Sequence, residues 1–360
     1  MCVNIPQDCS RFKRVLTRAA EGGLVEGEEP VTREALQVDM AQTTAQLAEV
    51  HLEQGQYDQA IAEFTEAIEH HKQWSFFYGR GRAYYGARRF SEAIPNLSSA
   101  VHTASKPREA VAGEVRSHIH ALLGECHYHV GDFDKALLNL DRAIDLCPEY
   151  SSARSWRGLF HHERGDHAKA LADLNEAIRL NPEDPLPYES RAKVHRTMGD
   201  KENALKDEQS CQAAKLLADA WSEMEQSNWD AAIFMLTQAM RLDATMLRPY
   251  NRRGMAYCGK GELDLAIADF NHVIERTPTP DSTGAPLPVH FADAYAWRAG
   301  SLAKQGQYDK AIADYSEAIR LAPYLANVYQ ARADAYRALG DMENAAEDER
   351  KARKLLKSGA

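Results

Sequence analysis

The chain is 360 residues long, 44% hydrophobic and 27% charged, with a formal net charge of −10. That length exceeds the roughly 250–300 residues that one compact core serves, so several domains or a solenoid are expected. The acidic balance argues against a polyanion as the main partner, and no apolar run approaches the ~18 residues of a membrane span. The first twenty residues lack the apolar centre of a secretory leader, and the six cysteines include no CxxC, so reduced thiols in the cytoplasm are expected.

Residues 1–40 read as an N-terminal extension, with EGGLVEGEEP (21–30) as a flexible acidic linker. A long helix is expected from about Thr32 to Gln54. From there the chain repeats itself. GDHAKALADLNEAIRLNP (165–182) returns almost unchanged as GQYDKAIADYSEAIRLAP (306–323). The first alanine of this pattern recurs as Ala60, Ala93, Ala136, Ala170, Ala204, Ala232, Ala266, Ala311 and Ala345, spaced 33, 43, 34, 34, 28, 34, 45 and 34 residues apart. A 34-residue stride is the length of one helix–turn–helix unit. Glycine ends the first helix and proline the second, while AKALADLNEAIRL between them carries apolar residues at helical spacing.

Irregular spacings mark local events. The 43 gap inserts HTASKPREAVAG (102–113) and the 45 gap inserts PTPDSTGAPLPV (278–289), both expected as loops or lengthened helix ends. The 28 gap is a deletion within 202–226, a stretch without Gly or Pro. There the second helix of one unit and the first helix of the next are expected to fuse into a rod of about 25 residues, roughly 37 Å long. Near that point, residues 198–217 resemble the C-terminal 339–356. We therefore read an array of five repeats over 41–212 and an array of four over 213–360, the latter ending in a charged capping helix.

The pattern resembles the tetratricopeptide repeat over about residues 41–357. It is clearest at Gly158, Gly165, Ala170, Leu174, Ala177 and Pro182, which match the family's slots 8, 15, 20, 24, 27 and 32. The resemblance implies an all-α fold: an α-solenoid of about nine helix hairpins in a right-handed superhelix. Small residues at slots 8, 20 and 27 allow close helix approach, where bulk would cost ~1–3 kcal/mol each. Slot 7 departs from the usual apolar residue, being Arg80, Arg157, Arg191, Arg253, Arg298 or Arg332 in six repeats. In five of them slot 23 is Asp: Asp173, Asp207, Asp269, Asp314 and Asp348. Two slots that change together predict a bridge within each hairpin.

Three motifs imitate chemistry. GMAYCGKG (254–261) spells the start of a phosphate loop, but Gly261 stands where a Ser or Thr would hold Mg²⁺, and the context is helical. HHERGDH (161–167) approaches a zinc helix motif, but its histidines are five apart around Gly165. His51, His127, His161 and His195 share slot 11, where half-buried packing is expected. Neither a catalytic constellation nor a cofactor or metal site is expected.

The resemblance places slots 2, 5, 6, 9, 12 and 13 on a concave groove. In this chain they hold Tyr78, Arg82, Tyr85, Tyr128, Trp156, Lys193, Arg196, Trp221, Arg248, Asn251, Arg252 and Trp297. Outward tryptophans suggest contact with a partner. Arg248 and Arg252 match part of the family's carboxylate clamp, whereas Leu217, Ala218 and Trp221 of the preceding repeat do not. The expected function is a non-catalytic scaffold that binds extended peptides bearing acidic residues or a C-terminal carboxylate. The alternative is a solenoid for single-stranded nucleic acid, which the balanced groove charge disfavours.

Overall fold

The computed structural model describes residues 33–104, 112–276 and 289–358. Both insertions and the N-terminal extension therefore lie largely outside the described residues. Among those residues every regular element is a helix, and helices pack against their sequence neighbours as hairpins. Two compact units are present, Met1–Cys147 and Pro148–Ala360.

The first unit holds α1 (Arg33–Glu53), α2 (Tyr57–His70), α3 (Trp74–Gly86), α4 (Phe90–Ala104), α5 (Gly113–His129) and α6 (Phe133–Leu146). The second holds α7 (Ser151–Glu163), α8 (His167–Leu180), α9 (Pro185–Thr197), α10 (Lys201–Glu225), α11 (Trp229–Leu242), α12 (Arg248–Lys260), α13 (Leu263–Ile274), α14 (Val289–Lys304), α15 (Tyr308–Leu321), α16 (Ala326–Ala338) and α17 (Met342–Ser358). The described residues form an all-α solenoid of nine hairpins, three in the first unit and six in the second, with α10 shared by two of them. The fused helix expected around 202–226 is α10, 25 residues without a break. The join between arrays read near residue 212 falls inside it.

Small residues explain the close packing. The nine alanines that define the stride are each at most 2% exposed. A Cβ on Gly158 would lie 2.7 Å from Leu174 Cγ, and one on Gly254 would lie 2.6 Å from Phe270 Cε1. In these hairpins, as at Gly81 with Leu97 and Gly124 with Leu140, one large residue of the second helix thus lies against bare backbone of the first, which maximises contact at the cost of excluding any side chain there.

The turn between the two helices of every hairpin has one residue with positive φ. It is glycine in seven hairpins, and Arg88 (φ 58°) and Ser227 (φ 61°) in the others. Asp132, Asp166 and Asp200 follow such glycines and accept the backbone N–H of Lys135, Lys169 and Asn203 respectively, capping the second helix.

Candidate functional site

The slot 7 arginines form a ladder. Arg157, Arg191, Arg253, Arg298 and Arg332 each donate through Nε and Nη2 to both oxygens of the aspartate in their own hairpin, at 2.6–2.9 Å. Their geometry is the two-pronged fork of guanidinium on carboxylate. Arg80 donates Nε to Asn96 Oδ1 at 2.6 Å instead. Hydrogen bonds to Asp269 and Asp348 raise the pKa of Arg253 and Arg332, whereas burial pulls that of Arg80 down.

A further set of partners escaped the sequence reading. The remaining Nη1 of Arg80, Arg191, Arg253, Arg298 and Arg332 donates to Thr65, Asn175, Thr237, Asn271 and Ser316 of the preceding hairpin at 2.6–3.1 Å. These five acceptors share slot 25, where a recurring hydroxyl or amide was the available signal. Each arginine therefore bolts its own hairpin together and ties it to the one before.

Within the first unit, the structure brings together Tyr78, Arg82 and Tyr85 on α3. Arg82 reaches Glu49 of α1 at 3.0 Å and lies 5.5 Å from the centroid of the Tyr78 ring. The Tyr78 hydroxyl meets His118 Nδ1 of α5 at 2.6 Å, and the Tyr85 hydroxyl donates to Glu125 of the same helix at 2.5 Å. Burial pushes the Tyr78 phenol up to about 12 and raises that of Tyr85, which the neighbouring Glu125 charge raises further. Tyr128 sits near the end of α5 against Phe133, ring centroids 6.0 Å apart. Tyr78, Arg82 and Tyr85 knit the first helices of successive hairpins to one another.

In the second unit the predicted residues divide. Trp156 is partly buried on α7, and Lys193 pairs with Glu189 on its own helix at 3.0 Å. Arg196 pairs with Glu208, an acid at slot 24 where the clearest repeat has Leu174, so this arginine serves its own hairpin. Asn251 of α12 is 6% exposed. Trp297 on α14 is 42% exposed.

Trp221, Arg248 and Arg252 come together. Arg252 lies 4.9 Å from the centroid of the Trp221 ring and donates Nη1 to the Leu217 carbonyl of α10 at 3.0 Å. Trp221 is 41% exposed and donates its indole N–H to Glu225 at 3.1 Å. A carboxylate of the chain itself already occupies the arginine pair: Glu183, in the turn between α8 and α9, bonds Arg252 at 2.8 Å and also pairs with Arg248. Slot reasoning missed Glu183 because inter-repeat turns are not groove slots; its signal was an acid in the turn NPED (181–184). Burial lowers the pKa of Arg252 and raises that of Asp293, whose carboxyl also feels Arg248.

The imitation motifs resolve into packing. A Cβ on Gly259 would meet Trp229 at 2.7 Å, Gly261 is the left-handed cap of α12, and Lys260 pairs with Asp230 and Glu262 at 2.7 and 2.9 Å. His162 and His167 bring their Nδ1 atoms within 3.4 Å, but the described residues hold no group of three or more His, Cys, Asp or Glu able to bind a metal ion. Side chains of the slot 11 histidines are 10–22% exposed, and His51 bonds Glu63 at 2.7 Å. None of the described helices is long and apolar enough to cross a membrane.

Family models described as tetratricopeptide repeat match residues 46–110, 114–185, 247–280, 292–325 and 326–354, more than half of the chain. The chain belongs to the tetratricopeptide repeat family, and its repeats support a protein-interaction scaffold. Comparison with curated proteins gave no match. Similar solved structures include a tetratricopeptide repeat protein from Parabacteroides merdae, 14% identical, with a TM-score of 0.39, 82% of this chain and 99% of that chain covered. The structure of YrrB, described as a TPR protein with an unusual peptide-binding site, is 16% identical, with a TM-score of 0.38, 58% of this chain and 89% of that one covered. The TPR2AB domain of yeast Sti1 in a complex with pHSP90 is 19% identical, with a TM-score of 0.31, 86% and 99% covered.

Proposed function

We propose that the chain is a non-catalytic scaffold whose second unit binds extended peptide segments carrying acidic side chains or a terminal carboxylate. One observation carries this reading: Arg248 and Arg252 converge on a carboxylate beside the exposed face of Trp221. Two guanidinium groups on one helix, of which Arg252 is held by α10 and by an aromatic ring, form an anion receptor next to an apolar platform. That combination suits a peptide with an acidic residue next to an apolar one. Tyr78, Arg82, Tyr85 and Tyr128 form a separate wall in the first unit, and Trp297 extends the set in the second. The five-plus-four division near residue 212 remains our proposal for how the repeats arose, supported by the likeness of 198–217 to 339–356.

Fluorescence anisotropy provides the test. The probe is a labelled nonapeptide with alternating glutamate and leucine and a free C-terminus, compared with its glutamine counterpart. We expect Arg252→Ala and Trp221→Ala each to weaken binding of the acidic peptide by about tenfold, in line with the loss of a central interface anchor. Equal affinity of wild type and Arg252→Ala would refute the assignment.

A further inference from the structure

The carboxylate between Arg248 and Arg252 is built in, and its surroundings show how it could leave. The turn that presents Glu183 is organised without the arginines. The Glu183 backbone N–H donates to Asn181 Oδ1 at 3.2 Å, and Asp184 caps α9 by accepting the Leu186 N–H at 2.9 Å. Arg252 is likewise held without Glu183, by the Leu217 carbonyl and the Trp221 ring. The turn and Arg252 therefore keep these contacts when Glu183 leaves. The contact also bridges distant parts of the sequence, 69 residues apart.

The energetics leave the contact replaceable. Side chains of Glu183, Arg248 and Arg252 are 21%, 39% and 20% exposed, so all three touch solvent. A partly solvated ion pair is worth little beyond what an equivalent ion pair with another carboxylate provides. A glutamate from a second chain offers the same two oxygens to the same two arginines, and can add an apolar neighbour to the exposed Trp221 face.

We propose that Glu183 is a resident competitor: an acidic side chain of a peptide partner takes its place on Arg248 and Arg252, and Glu183 turns out to solvent. The inference rests on the peptide-binding reading above and adds its regulation. While Glu183 is seated, only the fraction of molecules with an open arginine pair can bind, and apparent affinity falls by that fraction. A partner with an acid alone must compete against a tethered acid at high effective concentration. A partner with an acid beside an apolar residue gains a contact that Glu183 cannot make. The device therefore rejects weakly acidic surfaces and selects the mixed sequence.

The same acidic and glutamine nonapeptides test this on the full chain with Glu183→Gln and Glu183→Ala, alongside wild type and Arg252→Ala. Helical circular dichroism confirms that each variant is folded. We expect both Glu183 variants to bind the acidic peptide about five- to tenfold more tightly than wild type, with no change for the glutamine peptide. If Arg252→Ala weakens binding while neither Glu183 variant tightens it, the competitor role is wrong and the peptide-binding reading stands. If Arg252→Ala binds like wild type, both fall. If only one Glu183 variant tightens binding, the role survives when that variant is Ala, which leaves no acceptor behind, and fails when it is Gln alone.

Discussion

At the scale of single residues, the chain contains its own control experiment. Five slot 7 arginines face aspartate, and Arg80 faces Asn96. The neutral partner leaves a half-buried cation without a matching charge. We expect Asn96→Asp to complete the fork and stabilise the first unit by about 0.5–1 kcal/mol at neutral pH, read as an upward shift in its thermal midpoint. The sign follows from linkage. The new carboxylate is favoured in the charged form by folding, so its stabilisation is present above the ordinary aspartate range of about 4 and lost below it, as pH falls through the lowered folded value. A gain that persisted at pH 3 would point to a cause other than charge. The forks themselves were legible in the sequence because both partners changed together along one chain. Glu183 was not, because its arginines lie 65 and 69 residues away.

Individual helices and turns raise a different question, that of backbone cost. Ser227 adopts φ 61° at the slot where seven other hairpins have glycine. A left-handed conformation costs a non-glycine residue ~1–2 kcal/mol, part of which glycine gives back as unfolded-state entropy. Ser227→Gly is therefore expected to stabilise by about 0.5–1 kcal/mol in urea unfolding. The converse, Gly261→Ala, should destabilise by about 1 kcal/mol with no steric contribution, since nothing lies within 4 Å of the added Cβ. Arg88 is a less clean case because its guanidinium lies 5.9 Å from the Phe90 ring centroid, a contact that glycine would lose. Helix positions were readable from period and stop signals, and α10 from their absence. The engagement of Arg196 with Glu208 was not, since slot rules name a face of a helix and say nothing of which side chain on that face finds a closer neighbour.

For the molecule as a whole, stability is a sum over hairpins and their neighbours, so the two ends of a stack differ from its middle. In the second unit α17 closes the array with Leu356 74% exposed and Met342 63% exposed. The interior α12–α13 hairpin has Phe270 fully buried against Gly254 and the Arg253–Asp269 fork. Hydrogen exchange should therefore show α17 amides opening by local fraying while those of α12 and α13 require opening of several hairpins. Uniform protection across the two would contradict nearest-neighbour stacking. Architecture was the most legible level, because a repeated alanine every 34 residues has one physical explanation. Partner chemistry was the least legible, because a wall of mixed charge becomes a receptor only where particular side chains converge.

The rod α10 has a mechanical consequence. Most hairpins meet their successors through a short turn whose dihedrals can yield. Between the fifth and sixth hairpins the connection is unbroken helix, 25 residues with every interior amide bonded along the axis. Twisting one hairpin against the next would mean bending that rod, so a load applied at α9 is passed on to α11 without slack, and Trp221 and the Leu217 carbonyl that steady Arg252 move with it as a single lever.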